Sequence, residues 1–413
     1  MTTVKFLRFF QILLNGIWAI PTILVLSILQ CFVPIKFKSI YSENIGHFIF
    51  DGAEEIYNYK TKKNREKIFF YFSNPHTVAN KFWAQILKRQ LPISNFFGQY
   101  IGKWTKIIFR DKFLHASGSS VITRKNSRFL KDVYQFDSLG IKFELDENNL
   151  GKNWLRSYGW REGEPYLCLL VRDSSFDVYN NKFKKYETLN YRNSSIEKFE
   201  SSVSWLCGEN IWVIRMGRIS KKPMRINHSK FIDYSFCNDQ SDFLDIWLFS
   251  NSSGIISTSS GPDALACIFD VPLLLVDFLP LMGMFSFTRG VTVPKRLVHQ
   301  ESNKYLNLNS TLDISFTERH LPNYFLNADD YDFILKKVEV NELNEEDILE
   351  AVKEFWSRIK GNWNMNESDS NLQNKFWYLF KNHKYFSINH NYINPEAAIG
   401  SDWLRKMGPE FLT

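Results

Sequence analysis

The segment Thr258-Ser259-Ser260-Gly261-Pro262 sets three hydroxyls and a glycine between an apolar run and the helix-forming stretch PDALACIFD. At a strand-to-helix turn, unpaired backbone N–H groups and the positive helix end attract an anion, most naturally a diphosphate. Capping by Ser or Thr is the plainer use of the same residues, and Pro262 suits the first helical position. No Gly-Lys-Ser/Thr follows, so the turn is not a P-loop. Arg172 and Arg215 each stand at the end of an apolar run, YLCLLVR and IWVIRMG. A guanidinium in such a place needs a carboxylate or a ligand phosphate. Asp173 and Asp233 are carboxylates that would satisfy the two arginines structurally.

A further group is Asn44-Ile45-Gly46-His47. The unperturbed pKa of histidine lies near neutrality, so His47 suits a general base acting on a hydroxyl, or a structural hydrogen bond. Asp51, Glu54 and Glu55 follow on the same predicted helix, where they would orient His47, serve as base themselves, or simply face water. Asp242 and Asp245 in S-D-F-L-D are equally open, with Asp242 placed to cap a helix. His76 and His228 have no partner at metal-ligand spacing, so neither a metal nor another cofactor is expected. The cysteines (Cys31, Cys168, Cys207, Cys237, Cys267) are odd in number and form no C-x-x-C pair. They read as free thiols in a reducing compartment.

These groups need a scaffold that brings strand ends together. YLCLLVR, IWVIRMG, SGIISTSSG and VPLLLVDF alternate with the amphipathic or helical stretches SSIEKFESSVSWLCGEN, SDFLDIWLFSN and PDALACIFD. That order predicts a parallel sheet, whose ligands bind beyond the carboxyl ends of the strands. Upstream, FKSIYS and KIFFYFSNP are predicted strands, while FIFDGAEEIYNY and TVANKFWAQILKRQ are predicted helices. In KKVEVNELNEEDILEAVKEFWSRIKG a strand leads into a long helix, with Asn344 its N-cap and Glu345, Glu346 and Asp347 in the first turn. The stretch 110–150 is polar and irregular.

Hydrophobic residues make up 44% and charged residues 23% of the chain, which excludes a disordered or collagen-like protein. The net charge of +7, from 51 Lys and Arg against 44 Asp and Glu, suits an anionic membrane surface or phosphorylated ligands. No basic arm or helix concentrates it, so nucleic acid is not an expected partner. Residues 9–35 carry no charge, a run long enough to span a bilayer. Pro21 within it also allows a re-entrant or interfacial arrangement, and a buried core helix is the remaining option. Lys5 and Arg8 flank one end; Lys36, Lys38, Lys60, Lys62, Lys63 and Arg65 follow the other, which places the body of the chain in the cytoplasm.

The ordered set N-I-G-H, V-R-D-S-S-F, Y-R-N-S-S-I, V-I-R-M-G-R, I-D-Y-S, S-D-F-L-D, S-T-S-S-G and I-G-S-D-W-L-R-K resembles a family of bacterial glycosyltransferases associated with surface-polysaccharide gene clusters. The likeness runs over residues 44–406 and is densest from 155 to 280. It implies two Rossmann-like α/β domains facing a cleft (GT-B type) behind an N-terminal hydrophobic membrane helix. The implied division is an anchor at 1–39, an acceptor-side domain at 40–150, a nucleotide-sugar domain at 151–335, and a strand with helices packing back at 336–413. V-R-D-S-S-F also looks like the arginine motif of GT-B fucosyltransferases, which would give Arg172 the donor diphosphate. Asp173 directly follows that arginine and the motif's downstream acid is absent, so fucose is not implied.

The likeness gives donor-phosphate contacts to Arg172, Thr258, Ser259 and Ser260, and the strand ends add Asp173, Arg215, Gly217 and Gly261 to the donor site. His47 and Arg172 would be catalytic, and Asn44, Gly46 and Asp51 would stand on the acceptor side. The implied partners are a nucleotide sugar, a glycan or lipid-linked acceptor, and the inner membrane, without a divalent metal. Asp277 stands where the likeness would place Asn. Two other readings share parts of this pattern. A nucleotide-sugar epimerase would need no anchor, and a non-catalytic assembly protein would bind no nucleotide.

Overall fold

The computed structural model describes residues 3–61, 67–109, 115–116, 139–175, 191–314, 338–390 and 392–413. Lys62, Lys63 and Arg65 of the basic flank, Phe176, and most of the 110–150 stretch lie outside the described residues. The chain divides into two compact units, Met1–Arg124 with Gln135–Ile141, and Lys125–Tyr134 with Lys142–Thr413.

The first unit is α/β. Its elements are α1 (Thr3–Leu29), β1 (Ile35–Ile40), α2 (Ile45–Thr61), β2 (Lys67–Phe72), α3 (Lys81–Gln90), α4 (Asn95–Phe109) and β3 (His115–Ala116). The strands form a parallel sheet in the order β2-β1-β3. Asn80 caps α3 by accepting from the Trp83 N–H at 2.7 Å, and the buried Trp83 indole donates to the Phe48 carbonyl at 3.0 Å. That pair of bonds fixes α3 against α2.

The expected membrane-spanning helix is not supported: among the described residues no helix is long and apolar enough to cross a membrane. The uncharged run 9–35 is shared between α1, a turn, and the start of β1. α1 continues through Pro21, and one of its sides is covered by protein. Ile23 is buried with Phe37, Tyr71 and Ile101, and Trp18, Leu26 and Trp104 pack around them. A Cβ on Gly16 would lie 2.6 Å from the Trp104 ring, so glycine is what lets α1 approach α4 there.

The second unit opens with α5 (Leu145–Ser157), held by a capping box between Glu144 and Glu147. It lies partly in the stretch expected to be irregular. Then follow β4 (Tyr166–Leu170), β5 (Trp212–Arg215), β6 (Phe231–Asp233), β7 (Gly254–Ser257), β8 (Leu273–Phe278), β9 (Gly290–Pro294), β10 (Arg296–His299), β11 (Lys304–Tyr305), β12 (Val338–Asn341) and β13 (Ala397–Ile399). Seven strands form one parallel sheet in the order β13-β9-β8-β7-β4-β5-β6. Strands β4, β7 and β8 are buried along their whole length, as their continuous apolar sequences require. The short antiparallel sheet β11-β10-β12 lies apart.

β4, the first strand of the seven in sequence, sits inside the sheet. β5 and β6 extend to one side of it, and β7, β8, β9 and β13 to the other. The direction of winding therefore reverses between β4 and β7. In open α/β sheets this reversal opens a crevice at the carboxyl ends of the two strands.

Candidate functional site

Two of the sequence segments singled out above stand at the carboxyl ends of β4 and β7. Beyond β4 and β7 the backbones stay linked: the Thr258 N–H donates to the Leu170 carbonyl at 3.2 Å, and the Arg172 N–H donates to Thr258 Oγ1 at 2.8 Å. Thr258 is thus a brace between the two strand ends, and it is fully buried. Ser259 follows with φ of 71°, a left-handed conformation rare in a non-glycine residue and frequent at ligand sites.

The helix after the turn, Asp263–Ile268, is short, and Pro262 is its N-cap, one position earlier than expected. The Ser260 N–H donates to Asp263 Oδ2 at 2.8 Å. Asp263 therefore supplies the negative charge expected of a ligand at this helix start. Its carboxyl is pushed up to about 6 by burial, against the opposing pull of the Ser257 hydroxyl, the Ser260 N–H and the Arg192 charge. The positive charge placed at this turn is the Arg192 guanidinium.

Arg192 belongs to Y-R-N-S-S-I, a motif of the resemblance to which the sequence attached no site role. Its guanidinium donates to the Ser259 carbonyl at 2.7 Å and to Ser259 Oγ at 3.1 Å, holding the left-handed residue in place. The same segment ties the strand ends together. The Ser194 N–H donates to the Arg172 carbonyl at 3.0 Å, and Ser194 Oγ donates to Asp277 Oδ2 at 2.7 Å. Asp277, with φ of 51° near the end of β8, also accepts from the Leu343 N–H at 2.7 Å. Lys295 donates to the Asn193 carbonyl at 2.7 Å and pairs with Glu342 at 3.6 Å. Burial raises the Asp277 pKa and lowers that of Lys295, while each charge offsets the other's shift. Residues from the ends of β4, β7 and β8, together with Lys295 just past β9, thus form one connected polar cluster.

Other expected donor residues face different tasks. Arg215 is 2% exposed, pairs with Asp233 at 3.1 Å and donates to the Lys222 carbonyl at 2.8 Å, so the structural carboxylate named from sequence holds it. Asp173 accepts from the Ser175 N–H at 2.8 Å and the Lys221 N–H at 2.9 Å, closing its own turn and anchoring the loop after β5. Gly217 has φ of 134°, and a Cβ there would lie 2.9 Å from Ser235 Oγ. It is a tight loop position. Ser241, not Asp242, caps the helix Asp242–Ser250, while Asp242 and Asp245 both pair with Arg218.

Within the first unit, His47 and Asp51 stand four residues apart in α2, on one helix face. Asp51 is buried and His47 is half-buried against the Tyr41 ring, with centroids 5.7 Å apart. Burial lowers the His47 pKa, so the imidazole is neutral at pH 7. Asn44 starts the helix, its carbonyl accepting from the Phe48 N–H at 2.8 Å and its amide donating to the Tyr41 hydroxyl at 3.2 Å. Gly46 lies in the first turn of α2. Glu55 is buried in an ion pair with Lys38 at 2.6 Å, and Glu54 accepts from Asn58 at 3.4 Å. His76 and His228 are exposed.

Among the described residues no group of three or more His, Cys, Asp or Glu side chains is placed to hold a metal ion. All five cysteines are free, three of them buried.

No protein-family model matches the chain, and no curated protein does. Solved structures show remote likeness. A glycosyl transferase family 9 protein from Veillonella parvula DSM 2008 aligns over 78% of this chain and 97% of its own, at 10% identity and a TM-score of 0.40. The iron-containing dodecameric glycosyltransferase TibC from enterotoxigenic E. coli H10407 aligns over 60% of each chain, at 12% identity and a TM-score of 0.32. TibC in complex with ADP-D-beta-D-heptose, described as a heptosyltransferase, aligns over 59% of each, at 13% identity and 0.30. Scores this low transfer neither the architecture nor the activity of those proteins to this chain.

Proposed function

We propose that the chain is a glycosyltransferase that moves a sugar from a nucleotide-sugar donor to a glycan acceptor carried on lipid, in the synthesis of bacterial surface polysaccharide. The observation that carries this reading is the convergence of Arg172, Thr258, Ser259 and Arg192 on the reversal point of the parallel sheet. Crevices of this kind take dinucleotides and flavin nucleotides in doubly wound sheets, and a nucleoside diphosphate offers the same phosphate groups. Arg172 would neutralise the diphosphate, the Ser259 and Ser260 hydroxyls would meet it, and Arg192 would hold that turn in shape. Asp173, Arg215 and Gly217 would shape the neighbouring loop.

In the transfer, the bond between the anomeric carbon and the phosphate oxygen breaks, and the nucleoside diphosphate leaves with the electron pair. The acceptor oxygen forms the new bond and loses its proton to a base. His47, neutral at pH 7, is the base of this proposal, with Asp51 beside it in α2 and Asn44 and Gly46 on the acceptor side. Arginines that offset the leaving charge make a divalent metal unnecessary in this scheme. In this scheme the chain works at the cytoplasmic face of the inner membrane. The connected strand-end cluster favours this reading over a non-catalytic assembly protein.

The experiment is turnover of labelled nucleotide sugars with a lipid extract. Arg172→Ala should lose transfer while folding normally, and His47→Ala should lower kcat by about two to four orders of magnitude. Undiminished transfer by Arg172→Ala would remove the diphosphate assignment. Conversion of the donor to another sugar nucleotide without acceptor would identify an epimerase instead.

A further inference from the structure

The outward side of α1 is apolar where the outer face of a helix packed on a protein is ordinarily polar. Leu14, Ile17, Leu24, Val25 and Ile28 recur there at helical spacing, and each is exposed, Ile17 to 75%. Ala19 and Ile23 point the opposite way and are fully buried. α4 continues the exposed surface with Phe96, Phe97, Ile107 and Ile108. Trp18 joins the two helices, stacked on Phe96 with centroids 5.5 Å apart and edge-on to Phe97 at 5.6 Å. A contiguous apolar and aromatic surface of this kind marks an interaction site.

We propose that α1 and α4 form a monotopic membrane-docking face, with α1 lying along the bilayer surface and its apolar stripe set among the acyl chains just below the headgroups. The occupant is a lipid surface with anionic headgroups, for three reasons. No charge interrupts residues 9–35, and cations border the run: Lys5 and Arg8 before it, Lys36 after it, and Lys103 between Phe96 and Ile107 in α4. Cations at such a border pair with anionic headgroups and snorkel around an apolar patch. An aromatic cluster at the rim suits the headgroup level. A crossing helix, by contrast, would carry its packing partners β1 and α4 inward, with Lys36, Asn95, Gln99 and Lys103. Placing that many polar groups in hydrocarbon is prohibitive.

This deepens the membrane attachment in the reading above and is independent of its transferase chemistry, which nucleotide binding by the second unit reports separately. The test uses the full chain and vesicles of phosphatidylcholine with or without phosphatidylglycerol. Fluorophores are placed singly at Ile17→Cys, Leu24→Cys and Ile28→Cys, with Cys31 and Cys237 replaced by Ser, and quenched by lipids brominated at known depths. All three positions should report one shallow depth. A helix crossing the bilayer would instead spread Ile17 and Ile28 by roughly 16 Å at about 1.5 Å per residue, and that result would overturn the proposal.

Flotation gives the second arm. The triple variant Ile17→Glu, Val25→Glu, Ile28→Glu should partition at least ~100-fold less onto the anionic vesicles, because three side chains that would enter the acyl region become carboxylates that stay in water. Its thermal unfolding without vesicles should match the parent, because the three side chains are already exposed. Undiminished flotation of the triple variant would contradict the proposal. So would a parent chain that stays off vesicles and self-associates through this stripe in light scattering.

Discussion

Asp263 is fully buried at the turn that follows β7, and its carboxyl titrates near 6 instead of the usual 3.8. Between those values the folded protein binds a proton that the unfolded chain has released, so stability falls as pH rises through that window. The expected loss is on the order of 3 kcal/mol from about pH 4 to pH 7. Asp263→Asn keeps an oxygen for the Ser260 N–H and should flatten this part of the stability profile, measured by urea unfolding at several pH values. An unchanged profile would show that Asp263 titrates normally. Asp277 makes a different prediction. Asp277→Ala leaves the Ser194 hydroxyl and the Leu343 N–H without their common acceptor, and should cost about 1–3 kcal/mol for each buried group left unpaired. Asp277→Asn retains an acceptor for Leu343 and should cost far less. The residue types at these positions were visible in the sequence, but their partners were not. Arg172 and Arg215 look alike as strand-end arginines, and only the fold shows that Asp233 reaches one of them across a parallel strand pair. Arg192 had no local signal, since it gains its role from Ser259, 67 residues away.

At the scale of elements, local chemistry was legible wherever it was self-contained. Asn344 accepts from the Asp347 N–H at 2.8 Å and starts the helix Glu345–Ile359, as the acidic first turn implied. Asn344→Ala should therefore cost about 0.5–2 kcal/mol in thermal unfolding, and a neutral result would mean that packing alone fixes the helix start. The strands β4, β5, β7 and β8 announced themselves as apolar runs. β6 and β13 span only three residues each, too few for a periodic signal, and take their identity from pairing with β5 and β9. β9 begins at Gly290, whose φ of 145° and close approach to the Leu273 carbonyl no apolar pattern reveals. α1 misled for a related reason. Its uncharged sequence is common to a spanning helix and to one covered on a single side, and the covering residues come from β1, β2 and α4.

At the scale of the molecule, the sheet order β13-β9-β8-β7-β4-β5-β6 turns separate strand ends into one crevice. The alternation of strands and helices foretold a parallel sheet. The order, and hence the reversal between β4 and β7, depends on pairing between residues far apart in sequence. The proposed diphosphate at that reversal would join the residue-level and element-level findings into a function. The most direct test is thermal unfolding of the full chain with UDP, GDP, CDP, ADP and dTDP, alone and with magnesium. One nucleotide at a hundred times its dissociation constant should stabilise the chain by about 2.7 kcal/mol. Arg172→Ala should weaken that binding by about ten- to a hundredfold, since it removes a charge-assisted hydrogen bond to phosphate. Arg192→Ala should weaken it less, because its part is to hold Ser259. A folded chain that no nucleotide stabilises, or a shift that Arg172→Ala leaves intact, would contradict a nucleotide-sugar site at the reversal of the sheet.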